Sequence, residues 1–191
     1  SMGISPAIVV PSVLIHELAI GMFSLKSEKG SADPSLLIWL CLGSLIGTPL
    51  GLLALSHVSD DSMRLAIALV LLLSVIALWT SRRNFITLQA SVLSAAGFVS
   101  GILNGASAIS GPPVIITLLG SNLSASKMRG ILIYFIAFSA AIGVGMSLVI
   151  GTQTIIGLFI AFFMLPGVLL GVLAGVFAFQ KLPHKHYRSI A

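Results

Sequence analysis

From Phe85 to Gly120 the chain carries no charged residue, yet Ser110-Gly111-Pro112-Pro113 stands inside that apolar stretch. A continuous helix cannot pass through this tetrapeptide. Each proline removes a backbone donor and crowds the preceding turn. The stretch is also too long for one membrane crossing, which takes about 20 residues at roughly 1.5 Å rise per residue. The sequence therefore predicts a helix, a broken or re-entrant segment near 105–113, and a second short helix. Lipid tolerates broken backbone only where protein or a water-filled cavity satisfies its hydrogen bonds. A break of this kind is the best sequence pointer to a substrate site in a transporter.

Composition sets the class. Mean hydropathy is +1.13, and 57% of the 191 residues are hydrophobic against 8% charged. Such a chain reads as an all-α polytopic membrane protein in contact with lipid. The net charge of +5 comes from only ten Lys and Arg, nearly all between apolar runs. That is the pattern of membrane loops and not of a nucleic-acid surface. Cys41, the single cysteine, lies in an apolar run, so neither an intrachain disulfide nor a cysteine metal set is expected.

Six apolar segments are expected: 6–25, 36–56, 65–80, 85–120, 131–150 and 155–179. A weak repeat relates residues 124 apart. Gly43, Gly47 and Gly51 align with Gly167, Gly171 and Gly175, Gly21-Met22 with Gly145-Met146, and Arg64 with Arg188. This divides the chain into a first repeat at 1–80, a basic loop at 81–84 and a second repeat at 85–191. Under that alignment the signature at 97–120 has no first-half counterpart and 65–80 no second-half one. The expectation is a chain lacking one signature segment and one last helix. If the broken segment returns to its starting face, nine Lys and Arg lie on one side and one on the other. The positive-inside rule prefers that arrangement, in which the two halves are inverted.

Asn104, Ser107 and Ser110 are small polar side chains beside the break, while Gly111 and Pro112 shape it. A short helix beginning there would aim its N-terminal dipole at the break, which suits an anion. Kinking against a neighbour is the plainer reading. The stripes Gly43/Gly47/Gly51, Gly97/Gly101/Gly105 and Gly167/Gly171/Gly175 are read as helix-packing faces. His16 and Glu17 lie in the first apolar run, and an intramembrane acid is costly enough to suggest coupling to a proton. Adjacent residues point about 100° apart on a helix, and the pair could also sit at an interface. Arg64 and Arg188 read as interfacial anchors. His57, His184 and His186 lack acidic or cysteine companions, so no metal is expected. No phosphate loop, nucleophile elbow or HExxH motif occurs, so neither a cofactor nor an enzyme activity is expected.

GILNGASAISGPP at Gly101–Pro113, followed by an apolar run and Lys127–Gly130, resembles the second-repeat signature of the TauE/SafE sulfite exporter family, also called 4-toluene sulfonate uptake permeases. Leu42–Ile67 looks like that family's first-repeat ladder, loop and arginine, and Pro166–Arg188 like the second-repeat counterpart. The resemblance implies a bacterial or plant membrane protein of two related four-helix halves that moves sulfite, sulfonates or similar anions; alternating access and a bacterial plasma membrane are the expected mechanism and location. It also implies that Asn104, Ser107, Ser110, Gly111 and Pro112 form half of a substrate site. Expected partners are a small anion and membrane lipid, with no nucleic acid. Homo-oligomerisation stays open, since glycine faces join helices within or between chains. An anion channel and a non-transporting assembly partner are the alternatives.

Overall fold

The computed structural model describes residues 6–25, 32–59 and 86–181, with scattered positions between 61 and 76. Side-chain surroundings are described for residues 8 to 174 of these. Arg64, Arg188, His184 and His186 lie outside the described residues, as does the basic loop at 81–84. The described structure is helical: α1 (Pro6–Leu25), α2 (Pro34–His57), α3 (Ala90–Ser107), α4 (Gly111–Leu119), α5 (Ala125–Ile150) and α6 (Ile155–Lys181). The described residues from 61 to 76 are helical as well. All but α4 are long and apolar enough to cross a membrane. Large residues on the outer surface are apolar, including Ile46, Phe159, Phe162 and Phe163. Lipid, not water, is the solvent that suits this surface.

Local chemistry sets the helix ends. Asp33 caps α2, its carboxylate accepting from the Ser35 hydroxyl at 2.6 Å and the Ser35 N–H at 3.1 Å. Those bonds, the hydroxyl first, hold its pKa below the usual carboxylate value. Pro34 follows at the first helical position, where a missing N–H does no harm. Ser124 caps α5, so this helix starts six residues before the apolar run that announces it. Gly151, at φ 77°, closes it in the left-handed conformation that glycine adopts without strain.

The closest packing is between α2 and α3. A Cβ on Gly43, Gly47 or Gly51 would overlap the carbonyl oxygens of Ser94, Phe98 or Ile102. A Cβ on Gly97 or Gly105 would overlap those of Leu40 or Thr48. The two glycine stripes therefore interleave and bring the two backbones into contact. Gly167 and Gly171 behave otherwise. Nothing lies within 4 Å of a Cβ built on either. Their stripe is expected as a packing face, but among the described residues none meets them, and the surroundings of Gly175 lie outside the described residues. The cause is their position on the least covered helix, where Phe162 and Phe163 are 74% and 75% exposed.

Contact pairs fix the helix directions. Successive glycines of α2 meet successive residues of α3, so the two run parallel. Gly21 abuts Ala137 while Leu14 abuts Gly143, so α1 and α5 are antiparallel. Ser12 donates to the Gly157 carbonyl at 3.0 Å and His16 Nε2 to the Ala161 carbonyl at 3.0 Å, so α1 and α6 are parallel. Leu40 packs near Ile131 and Phe135 whereas Leu52 and Leu55 pack near Val144 and Ile150, so α2 follows α5. The α3–α4 segment comes back on itself, because the Ile86 N–H donates to the Gly120 carbonyl at 2.9 Å. One face thus holds the end of α1, the starts of α2, α3 and α5, and the ends of α4 and α6. This is the returning-segment arrangement that gathers the basic loops together. Segments 124 residues apart, α1 with α5 and α2 with α6, run in opposite directions.

Two outcomes are expected. In a Cys41→Ser background, Ser35→Cys and Ser124→Cys label from one face of a sealed vesicle, and Ser59→Cys and Thr152→Cys from the other. Opposite labelling of Ser35→Cys and Ser124→Cys would refute the returning segment. Gly47→Ala destabilises by about 1–3 kcal/mol through overpacking, whereas Gly171→Ala stays within about 0.5 kcal/mol of the parent, as read from unfolding in detergent.

Candidate functional site

The break occupies residues 108–110 between α3 and α4. Ala108 ends α3 in the left-handed conformation, φ 54° and ψ 39°, its N–H donating to the Asn104 carbonyl at 2.7 Å. A side chain there costs roughly 1–2 kcal/mol relative to right-handed backbone. The surrounding contacts hold the turn against that strain.

Ser110 is the N-cap of α4, yet its side chain caps nothing. The sequence explains this. A capping serine accepts from the N–H of the second or third helical residue. Here those residues are Pro112 and Pro113, which have no N–H. The hydroxyl is left to act elsewhere, and it donates to Oε1 of Glu17 at 2.7 Å. The Ser110 carbonyl in turn accepts from the Ser100 hydroxyl. Ser110 is 1% exposed. Gly111 supplies the one N–H of the first three helical positions.

Asn104, one turn beyond Ser100 on α3, is completely buried. Its Nδ2 donates to the Ser139 carbonyl on α5 at 2.9 Å, while its Oδ1 has no partner. Glu17 Oε2 is also buried and without a partner. The Ser139 hydroxyl lies 3.0 Å from that of Ser44, which lies 3.3 Å from that of Thr48. A polar thread therefore joins α2, α5 and α3 through the middle of the bundle. Sequence reading missed Ser44, Thr48, Ser100 and Ser139. Small hydroxyl residues recur in membrane helices for packing alone, and their spacing does not reveal which ones meet.

The expected site residues divide accordingly. Asn104, Ser110, Gly111 and Pro112 gather at the break. Ser107 sits beside it, but its hydroxyl donates to the Leu103 carbonyl of its own helix at 2.7 Å. Glu17 points to Ser110, whereas His16 points to α6, as expected for neighbours on one helix. The structure thus brings Glu17 to the break and separates His16 from it. His57 is exposed and bonds within its own turn. Among the described residues no group of three metal-ligating side chains occurs. An open cavity of about 850 Å³ lies at the far end of α4, against Ser121, Asn122, Ser124 and Arg129.

Residues 1–191, the whole chain, match the family described as Sulfite exporter TauE/SafE. Neither the curated proteins nor the solved structures contain a significant match.

Asn104→Ala is expected to destabilise by about 0.5–1.5 kcal/mol, because it removes a buried hydrogen bond that ties α3 to α5. A Ser139→Ala change, which leaves that carbonyl bond in place, is expected to cost less. Unfolding of both variants in detergent checks the order.

Proposed function

Because the chain belongs to the sulfite exporter TauE/SafE family of membrane transporters, we propose that it carries a small sulfur-containing anion, such as sulfite or a sulfonate, through the break between α3 and α4. The observation that carries this reading is Ser110. It is a buried hydroxyl donor at the N-terminus of a helix, in backbone that cannot satisfy itself. The positive end of α4 favours negative charge there. Asn104, Gly111 and Pro112 border the same place, with Ser107 at its edge. Pro112 and Pro113 keep the number of N–H groups small, so side chains set the polarity.

Alternating access is the mechanism we favour. Its support is the opposed direction of α1 and α5, and of α2 and α6, around a central broken segment. The glycine-locked pair α2–α3 would move as one body. Helix α1 meets α6 through Ser12 and His16, which is a lighter connection. In a bacterial plasma membrane the basic face would be cytoplasmic.

The test is flux of radiolabelled sulfite into proteoliposomes. The parent is expected to give saturable uptake. Ser110→Ala is expected to lose at least about tenfold of it, the scale of one charge-assisted hydrogen bond. Gly171→Ala serves as the control away from the site, since no described atom lies within 4 Å of a Cβ there. Linear, non-saturating flux would instead make the protein a channel. No flux of sulfite or methanesulfonate would remove the transport reading.

A further inference from the structure

The carboxylate of Glu17 already occupies the donor that an anion would need. A serine hydroxyl has one hydrogen to give, and Ser110 gives its hydrogen to Glu17 Oε1 at 2.7 Å. Among the described residues, the second carboxylate oxygen is buried and finds no partner, and the same holds for Oδ1 of the fully buried Asn104. Two acceptors lacking donors at one buried break are the reverse of what a resident anion requires. They are what a proton requires.

We propose that Glu17 is a tethered competitor for the transported anion, and that its protonation hands Ser110 to the substrate. This rests on the transport reading above and names its coupling. With Glu17 ionised, the carboxylate holds the hydroxyl, and a second negative charge beside it in a low-dielectric bundle is repelled. When a proton from water on the open side adds to the carboxylate, the charge disappears. The Ser110 hydroxyl can then rotate to the incoming anion. One proton enters with each anion, and the same proton leaves when the anion departs and Glu17 reclaims Ser110. A singly charged anion would therefore cross without net charge movement.

Among the described residues, the helices packed around this carboxyl carry few other titrating groups. Helices α3 and α4 carry none, and α6 carries none before Lys181. On α2 the titratable side chains are the half-buried Cys41 and the exposed His57. Helix α5 passes the level of Glu17 between Ala137, which abuts Gly21, and Gly143, which abuts Leu14. Its Tyr134 lies beyond that interval, and Lys127 and Arg129 lie more than a turn further. On α1, His16 is turned to the Ala161 carbonyl and takes no part.

The experiment is sulfite uptake by proteoliposomes of the full chain, with and without an acid-outside pH gradient, in the parent and in Glu17→Gln. The substitution keeps the shape and the acceptor oxygen, so the protein is expected to fold; circular dichroism and size exclusion check this. The acid gradient is expected to speed parent uptake at least tenfold. Glu17→Gln is expected to exchange sulfite at a rate that no longer responds to the gradient. In parallel, adding sulfite to the parent at fixed pH is expected to strengthen the protonated-carboxyl infrared band, and the same addition to Glu17→Gln to leave it unchanged. A parent-like gradient response in Glu17→Gln would overturn the coupling role alone. So would a folded Glu17→Gln with no exchange at any pH, because a neutral side chain should leave Ser110 to the anion. Absence of sulfite and methanesulfonate flux in the parent would overturn the transport reading, and this one with it.

Discussion

Two helices whose backbones touch are the constraint on which the rest of the molecule depends. Gly43, Gly47 and Gly51 of α2 meet the carbonyls of α3, and Gly97 and Gly105 of α3 meet those of α2. In lipid, apolar side chains gain little by leaving the bilayer for one another, so close backbone approach and polar contacts drive association. This contact fixes α3 in depth and rotation. The fixed rotation turns Ser100 and Asn104 toward α4 and α5, and the fixed depth leaves the left-handed Ala108 at the level of Glu17.

From there the break follows by elimination. Chain leaving α3 must find hydrogen-bond partners inside protein, because lipid offers none. Ser100 satisfies the Ser110 carbonyl, and the Asn104 carbonyl satisfies the Ala108 N–H. The two prolines subtract donors instead of burying them unsatisfied. Among the described residues, the buried side-chain atoms left unsatisfied at the break are Glu17 Oε2 and Asn104 Oδ1. Desolvated polar atoms of this kind are expensive, and they concentrate where a molecule has something to bind.

Much of this was legible in the chain. The apolar run at 6–25 became α1, and a break expected near 105–113 lies at 108–110. The loop charges favoured a returning segment, and the Ile86–Gly120 hydrogen bond closes one. Glycine stripes announced close packing, but a stripe names no partner. The stripes at 43–51 and 97–105 found each other, while Gly167 and Gly171 meet none of the described residues. The adjacent pair His16–Glu17 looked like one unit, yet helical rotation sends the histidine to α6 and the acid to the break. The start of α5 was hidden because Ser124, Lys127 and Arg129 are polar, although a capping serine needs polarity at that point. Ser139 gave no signal, since its role depends on the through-space approach of Asn104 and Ser44.

The α2–α3 contact also differs in kind from an ordinary core. An interface of side chains can absorb a change by switching rotamers, and so it degrades gradually. An interface of backbone has no rotamers to switch. It forms with little loss of side-chain entropy, but it is brittle, because one methyl group at Gly47 has nowhere to go. Tolerance to sequence change is therefore unevenly distributed in this molecule. The scaffold is rigid and unforgiving. The break it supports is set by a handful of small polar side chains, whose exchange alters hydrogen bonds and not backbone contacts. A transporter built this way can change what it carries more readily than how it folds.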